Sequence, residues 1–140
     1  MIALGIDLGK ARTGLAVSDG GGLLASPLRV LQEHGRERLI TAILAAAREV
    51  GAGMLVVGLP RNMDGSEGES AQNAREIGRR LGSDSGLPVV FWDERGTTVT
   101  AHGYLNDTNV RGKKRKAVVD AVAATVILQS YLDSRQLQGK

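Results

Sequence analysis

The stretch Ile2-Ala3-Leu4-Gly5-Ile6-Asp7-Leu8-Gly9 decides how this chain folds. It is apolar, too short for a stable helix and closed by glycine, so it reads as a buried strand. One carboxylate, Asp7, interrupts it near its end. An ionised carboxylate left unpaired in a core costs several kcal/mol or more. Asp7 therefore calls for a cation, a donor or an exposed strand end.

Working outward, Lys10-Ala11-Arg12-Thr13-Gly14 reads as a turn with two cations, and Leu15 to Asp19 as a second strand. Gly20-Gly21-Gly22 can take positive φ and suits a hairpin. Leu23 to Leu31 reads as a third strand, and Pro27 within it predicts an edge position or a bulge. From Arg36 to Val50, Leu39, Ile40, Ile43, Leu44, Ala47 and Val50 recur at helical spacing. Met54 to Leu59 is continuously apolar, as a strand buried on both faces requires, and it ends at Pro60. After the polar loop Arg61-Asn62-Met63-Asp64-Gly65, Ser66 and Glu69 form a capping box for a helix through Leu81. Val89-Val90-Phe91-Trp92 is a fifth strand, closed by Asp93-Glu94-Arg95.

Thr97 or Thr98 can cap a short helix to about Leu105, followed by a basic loop. Lys116 to Leu137 closes the chain as a long helix with Val119, Val122, Ala123, Val126, Ile127, Ser130 and Tyr131 on one face. Ala121, Leu128 and Leu132 fall opposite, a second patch that permits a homodimer through this helix. The order β-β-β-α-β-α-β-α-α predicts a single α/β domain over residues 1–140, with a mixed five-stranded sheet flanked by helices on both faces.

Composition narrows the function. With 42% apolar and 24% charged residues, the chain belongs with soluble globular proteins. It has no cysteine, which excludes disulfides, thiolate catalysis and cysteine zinc sites and fits a reducing cytoplasm. No apolar run approaches the roughly 20 residues of a membrane helix, and no signal peptide is expected. Basic charge concentrates at Arg111-Gly112-Lys113-Lys114-Arg115-Lys116, a run that suits nucleic acid. Aromatic residues are only 3% of the chain, so backbone and shape contacts are expected rather than base stacking.

Sites in such sheets form outside the carboxyl ends of the parallel strands. Asp7 ends the first strand there, and Asp93 and Glu94 end the fifth. Asp120 falls within the apolar arc of the last helix, among Ala117, Ala121, Ala123 and Ala124. Carboxylates converging from separate elements make a hard, oxygen-rich site that suits Mg²⁺ or Mn²⁺. Two such ions about 4 Å apart can activate water and stabilise the leaving oxygen of a phosphodiester.

Gly5-Ile6-Asp7-Leu8-Gly9 with Arg12, Gly14 and Ala16-Val17-Ser18-Asp19 is the first of four motifs that follow in order. The others are Val57-Gly58-Leu59-Pro60 with Asn62-Met63-Asp64-Gly65-Ser66, then Asp93-Glu94-Arg95 with Thr97-Thr98, then Asp120-Ala121 with Ala123-Ala124 and Ile127-Leu128. Together they resemble the YqgF/RuvX family, within the RNase H-like superfamily that includes the RuvC Holliday junction resolvases. The resemblance covers almost the whole chain. It implies an RNase H-like fold and a metal-dependent nuclease whose acidic triad matches Asp7, Glu94 and Asp120. Asp93 competes with Glu94 for the second place. The fourth strand ends here in Gly58-Leu59-Pro60, where the resolvase relatives carry an acid, so the fifth-strand acid substitutes. Gly96 stands where the family commonly has Leu.

Lys10, Arg12, Arg61, Asn62, Arg95 and Thr98 lie on loops at the same sheet end and are candidates to hold phosphates, alongside Arg111, Lys113, Lys114, Arg115 and Lys116. By family analogy the substrate is the 5′ end of pre-16S ribosomal RNA. The alternative is a four-way DNA junction cut by a dimer, since two symmetric cuts need two sites. Two other classes compete: an actin-like ATPase, from the likeness of Asp7-Leu8-Gly9 and Gly14 to its first phosphate loop, and a non-catalytic RNA-binding factor. The first needs two domains around the nucleotide, and 140 residues supply one.

Overall fold

The opening strand stands at the centre of a five-stranded sheet whose order is β3-β2-β1-β4-β5. The computed structural model describes residues 1–62, 64–93 and 112–138, with the side chains of all but 112–120 and 136–138. In chain order the elements are β1 (Ala3–Leu8), β2 (Thr13–Ser18), β3 (Ala25–Leu31), α1 (Arg36–Val50), β4 (Met54–Leu59), α2 (Glu69–Ser85), β5 (Val89–Asp93) and α3 (Gly112–Gln138). The meander β1-β2-β3 is antiparallel, whereas β1, β4 and β5 run parallel. The expected α/β class and mixed sheet hold. β3 lies at the sheet edge, and its pairing jumps from Arg29 to Pro27 between Leu15 and Ala16, a bulge beside the proline that lacks a ladder donor.

Helices cover both faces, and strand alternation divides the core between them. On one face Leu4, Ile6, Leu15, Leu55, Val57 and Leu59 meet Ile40, Ile43 and Ala47 of α1 and Ala71, Ala74, Ile77 and Leu81 of α2. On the other, Ala3, Ala16, Met54 and Val56 meet Ala124, Ile127, Leu128 and Leu132 of α3. Small residues set how closely α3 approaches. A Cβ placed on Gly5 would lie 2.8 Å from Leu128 Cβ and 3.3 Å from the Ala124 carbonyl oxygen. Across the sheet, a Cβ on Gly78 of α2 would meet the Phe91 ring at 2.6 Å. The Gln129 amide fastens α3 to the edge hairpin, accepting from Ala25 N at 2.8 Å and donating to Leu23 O at 2.9 Å.

Four local expectations are corrected. Ser66 does not cap α2: its hydroxyl donates to Asp64 Oδ1 at 2.6 Å and accepts from Asn62 Nδ2 at 2.9 Å, so the polar loop consumes it. Helix α2 begins at Glu69 behind Gly68 and runs past Leu81 to Ser85, with Gly86 ending it in the left-handed region. β3 starts at Ala25, because Asp19 Oδ1 takes the amides of Leu23 and Leu24. The second apolar patch of the last helix dissolves. Leu128 and Leu132 are 0% and 2% exposed, buried against the sheet beside Ala124 and Ile127, and offer nothing to a partner. The expected short helix from Thr97 or Thr98 lies outside the described residues. No helix among the described residues is long and apolar enough to cross a membrane.

Candidate active site

Asp7 is the penultimate residue of β1, half-buried where the parallel strands end. Ile6 and Leu4 belong to the α1/α2 face, so alternation puts Asp7 on the α3 face with Ala3 and Gly5. Its neighbours across the ladder are glycines on both sides. Gly14 pairs with it directly on β2. On β4, Ile6 pairs with Val57, so the next level brings Gly58 beside Asp7. On the two neighbouring strands the carboxylate thus meets glycine rather than a side chain at its own level, which leaves a gap in the ladder of side chains on this face. A hard oxygen donor in such a gap fits a divalent metal.

The turn after β1 frames this gap. Gly9 N donates to Arg12 O at 2.9 Å, and a Cβ on Gly9 would lie 2.5 Å from that oxygen. Only glycine closes the turn so tightly, and it keeps Lys10 and Arg12 at the same sheet end as Asp7. Lys10 is exposed and Arg12 half-buried. Gly58 pairs in turn with Trp92 on β5. Trp92 faces α3, where its ring meets Tyr131 edge-on at 5.5 Å and its Nε1 donates to Ser130 Oγ at 3.2 Å. It stands on the α3 face at the level of Asp7, two strands away.

Helix α3 runs antiparallel to β1. Leu132 shares a surface depression with Met1, Ala3 and Met54 at the start of the parallel strands, while Ala124 and Leu128 lie over Gly5. One helical turn rises about 5.4 Å, so the backbone position of Asp120, one turn before Ala124 on the same stripe, arrives toward the level of Asp7.

Asp93, the last residue of β5, belongs elsewhere. Val89 and Phe91 pack on the α1/α2 face and Val90 and Trp92 on the α3 face. Parity therefore turns Asp93 toward α2, away from Asp7, and its Oδ2 lies 3.9 Å from Arg61 Nη1. Arg61 in turn lies 3.4 Å from Glu67 Oε2. Glu67 also accepts both arms of the Arg75 fork at 2.7 Å, which holds its carboxyl below the ordinary range, helped by the charge of Arg61. Arg75 and Glu67 have no signature in the sequence, because they meet across a loop at no helical spacing. The strand pattern of β5 hid the parity as well: both faces are covered, so apolar residues run on without alternation.

Of the remaining candidates, Asn62 is exposed and held to Ser66. Lys113, Lys114, Arg115 and Lys116 belong to the first turns of α3, which starts at Gly112, so these four positions are helical rather than in a loop. Glu94, Arg95, Thr98 and Arg111 lie outside the described residues. Among the described residues, no three acidic, histidine or cysteine side chains converge on one point.

The fold is that of the resolvases. The RuvC structure from Thermus thermophilus superposes with a TM-score of 0.60 at 18% identity, covering 97% of this chain and 96% of that one. The fowlpox virus resolvase in complex with Holliday junction DNA gives 0.60 at 11% identity, covering 96% and 99%. In sequence, a relative from Anaeromyxobacter sp., provisionally named a pre-16S rRNA nuclease, is 46% identical over 132 residues, 94% of this chain and 96% of its own. A relative of the same name from Paracoccus denitrificans is 43% identical over 136 residues, 97% of this chain and 86% of its own. The family model described as RuvX, Holliday junction resolvase, matches residues 1–134, and with that match, these relatives and this fold the chain belongs to the RuvX family of nucleases.

Proposed function

We propose that this nuclease cleaves phosphodiesters of structured RNA with divalent metal, and that its substrate is the 5′ end of pre-16S ribosomal RNA. The observation that carries the reading is Asp7, a carboxylate at the end of the central parallel strand between Gly14 and Gly58. Asp7, Glu94 and Asp120 would hold Mg²⁺ or Mn²⁺. Asp93 leaves the set, because its own face of the sheet gives it Arg61. When bound, a pair of ions supplies an activated water and stabilisation of the leaving oxygen.

The chain's own residues do the rest. Lys10 and Arg12 offer positive charge to the phosphates that approach Asp7. Lys113, Lys114, Arg115 and Lys116 extend the grip on phosphates along the start of α3. The names of the relatives support the ribosomal substrate. The family description and the junction-bound neighbours support a second reading, resolution of four-way DNA junctions.

One panel tests both: a pre-16S RNA 5′ end, a four-way junction, duplex DNA and single-stranded RNA, each with Mg²⁺ or Mn²⁺. Cleavage of the precursor RNA is expected to exceed the others. Symmetric paired cuts in the junction alone would replace this reading with the second. Asp7→Asn and Asp120→Asn should each abolish cleavage and leave binding intact; cleavage that survives both changes would sink the nuclease site. Replacing Lys113, Lys114 and Arg115 by Ala should flatten the salt dependence of binding, by a slope of about 0.7–0.9 for each phosphate that the helix no longer neutralises.

A further inference from the structure

Strand β5 is an edge strand, paired on one side to β4 among the described residues. The end of an edge strand frays unless something besides its ladder grips it. Here two successive positions on its α2 face are gripped. Phe91 lies against Gly78, with the Arg75 guanidinium 5.3 Å from its ring centroid. Asp93 meets Arg61. The two grips are joined, since Arg75 and Arg61 share the Glu67 carboxylate. The result is a closed circuit from Phe91 through Arg75, Glu67 and Arg61 to Asp93 and back along β5.

Arg61 is built into this circuit rather than aimed at a phosphate. Its backbone bridges that of Glu67, and Asn62 N donates to Ser66 O at 2.9 Å, so the loop is pinned at both ends. Its guanidinium lies between two carboxylates on the face opposite Asp7, and its Nε is buried with no hydrogen-bond partner. Two carboxylates and two guanidiniums leave the circuit near neutrality, a poor lure for nucleic acid.

We propose that Arg61 is a positioning residue for metal binding: through its ion pair with Asp93, braced by Glu67 and Arg75, it fixes the end of β5, the strand end from which the chain continues directly into Glu94, a proposed metal ligand. This rests on the metal-binding reading above. Breaking the circuit weakens metal binding and leaves RNA binding alone. Partners of metal ligands typically contribute about 10–100-fold to metal affinity, and a step further removed should fall near the lower end.

The chain's single tryptophan supplies the probe. Trp92 lies on the α3 face at the level of Asp7, about two strand spacings or roughly 10 Å away, close enough for bound Mn²⁺ to quench it. The full chain is titrated with Mn²⁺ by Trp92 fluorescence and by calorimetry. Its affinity for the pre-16S RNA end is measured separately in EDTA. Arg61→Gln and Asp93→Asn should each raise the Mn²⁺ half-saturation about 10-fold, and the double variant should be no worse than either single one. Arg61→Lys should restore most of the loss, and RNA affinity in EDTA should not move.

Weaker RNA binding by Arg61→Gln at wild-type Mn²⁺ affinity would make Arg61 a phosphate contact and overturn the proposal. So would a lower melting temperature at unchanged Mn²⁺ affinity, which a brace for the fold alone would give. Asp7→Asn separates the two levels. If it loses Mn²⁺ binding while Arg61→Gln keeps it, the positioning role alone fails. If Asp7→Asn binds Mn²⁺ as wild type does, the metal-binding reading fails and this one falls with it.

Discussion

The two faces of the sheet are made from the same strands and do opposite things. Toward α1 and α2, β1 and β4 present Leu4, Ile6, Leu55, Val57 and Leu59, all fully or nearly fully buried. The helices there are further clasped by Arg80 on Glu37, in a fork of 2.8 and 2.9 Å, and by Arg36 on Glu76 at 3.0 Å. Toward α3, β1, β2 and β4 present Ala3, Gly5, Asp7, Gly14, Ala16 and Gly58. One face is filled and the other is emptied toward its end. The difference teaches that alternation lets a single strand carry both the core and the reaction. Stability and activity should therefore separate by residue parity.

The largest expected effect pairs two residues three apart on β1. Asp7→Asn should reduce cleavage by about 10³-fold or more, since a metal ligand supplies several kcal/mol of transition-state stabilisation. Its melting temperature should stay within a few degrees of wild type. Leu4→Ala should do the reverse. It leaves a cavity in the α1/α2 core and costs about 2–5 kcal/mol, lowering the melting temperature by roughly 10 °C while kcat per folded molecule is retained. Thermal melts and single-turnover cleavage on both variants check the comparison. A Leu4→Ala protein that is folded yet inactive would break it.

Gly5 sharpens the comparison, because it lies on the working face but beside no reacting group. Gly5→Ala drives a Cβ to 2.8 Å from Leu128 Cβ, against a helix that cannot yield without moving. Overpacking of this kind costs about 1–3 kcal/mol. Displacing α3 also displaces the position of Asp120, so Mn²⁺ half-saturation should rise together with the loss of stability. Melts alongside Mn²⁺ titrations of cleavage test this. A variant that melts lower with unaltered metal dependence would show that the helix gives way without disturbing the site.

Parity also marks what could be read from the sequence. The strands, the edge position of β3, the long helices and the anomaly of Asp7 were legible, because length, Pro27, glycine and apolar runs carry them directly. The face that Asp93 takes was not. Val89-Val90-Phe91-Trp92 is apolar on both sides, so no residue announces its face. The same cause misled the reading of α3. Its apolar residues wrap a broad arc, and Leu128 and Leu132 pass for a separate patch on a helical wheel although the sheet buries both. The capping box at Ser66 failed for another reason. Asp64, two residues earlier, offers the hydroxyl and the amide of Ser66 a nearer acceptor than the helix end does.

The smallest effect belongs to the outer rim of the filled face. Glu37 is exposed, yet Arg80, by its hydrogen bonds and its charge, holds the Glu37 carboxyl below its ordinary value of 4.5. A carboxyl depressed in the folded state contributes stability above its unfolded pKa and loses it as pH falls through the folded one. Glu37→Gln should therefore melt slightly below wild type at pH 7, and the gap should close as pH falls below about 4.5. Added salt should narrow it at neutral pH, because exposed pairs are screened. Cleavage at pH 7 should be untouched, since α1 and α2 meet the reaction only through the sheet between them. Melting curves from pH 7 down to 3, with and without salt, measure the gap. One that widened toward acid would mean that Glu37 acts through something other than its charge on Arg80, and the clasp between α1 and α2 would need another origin.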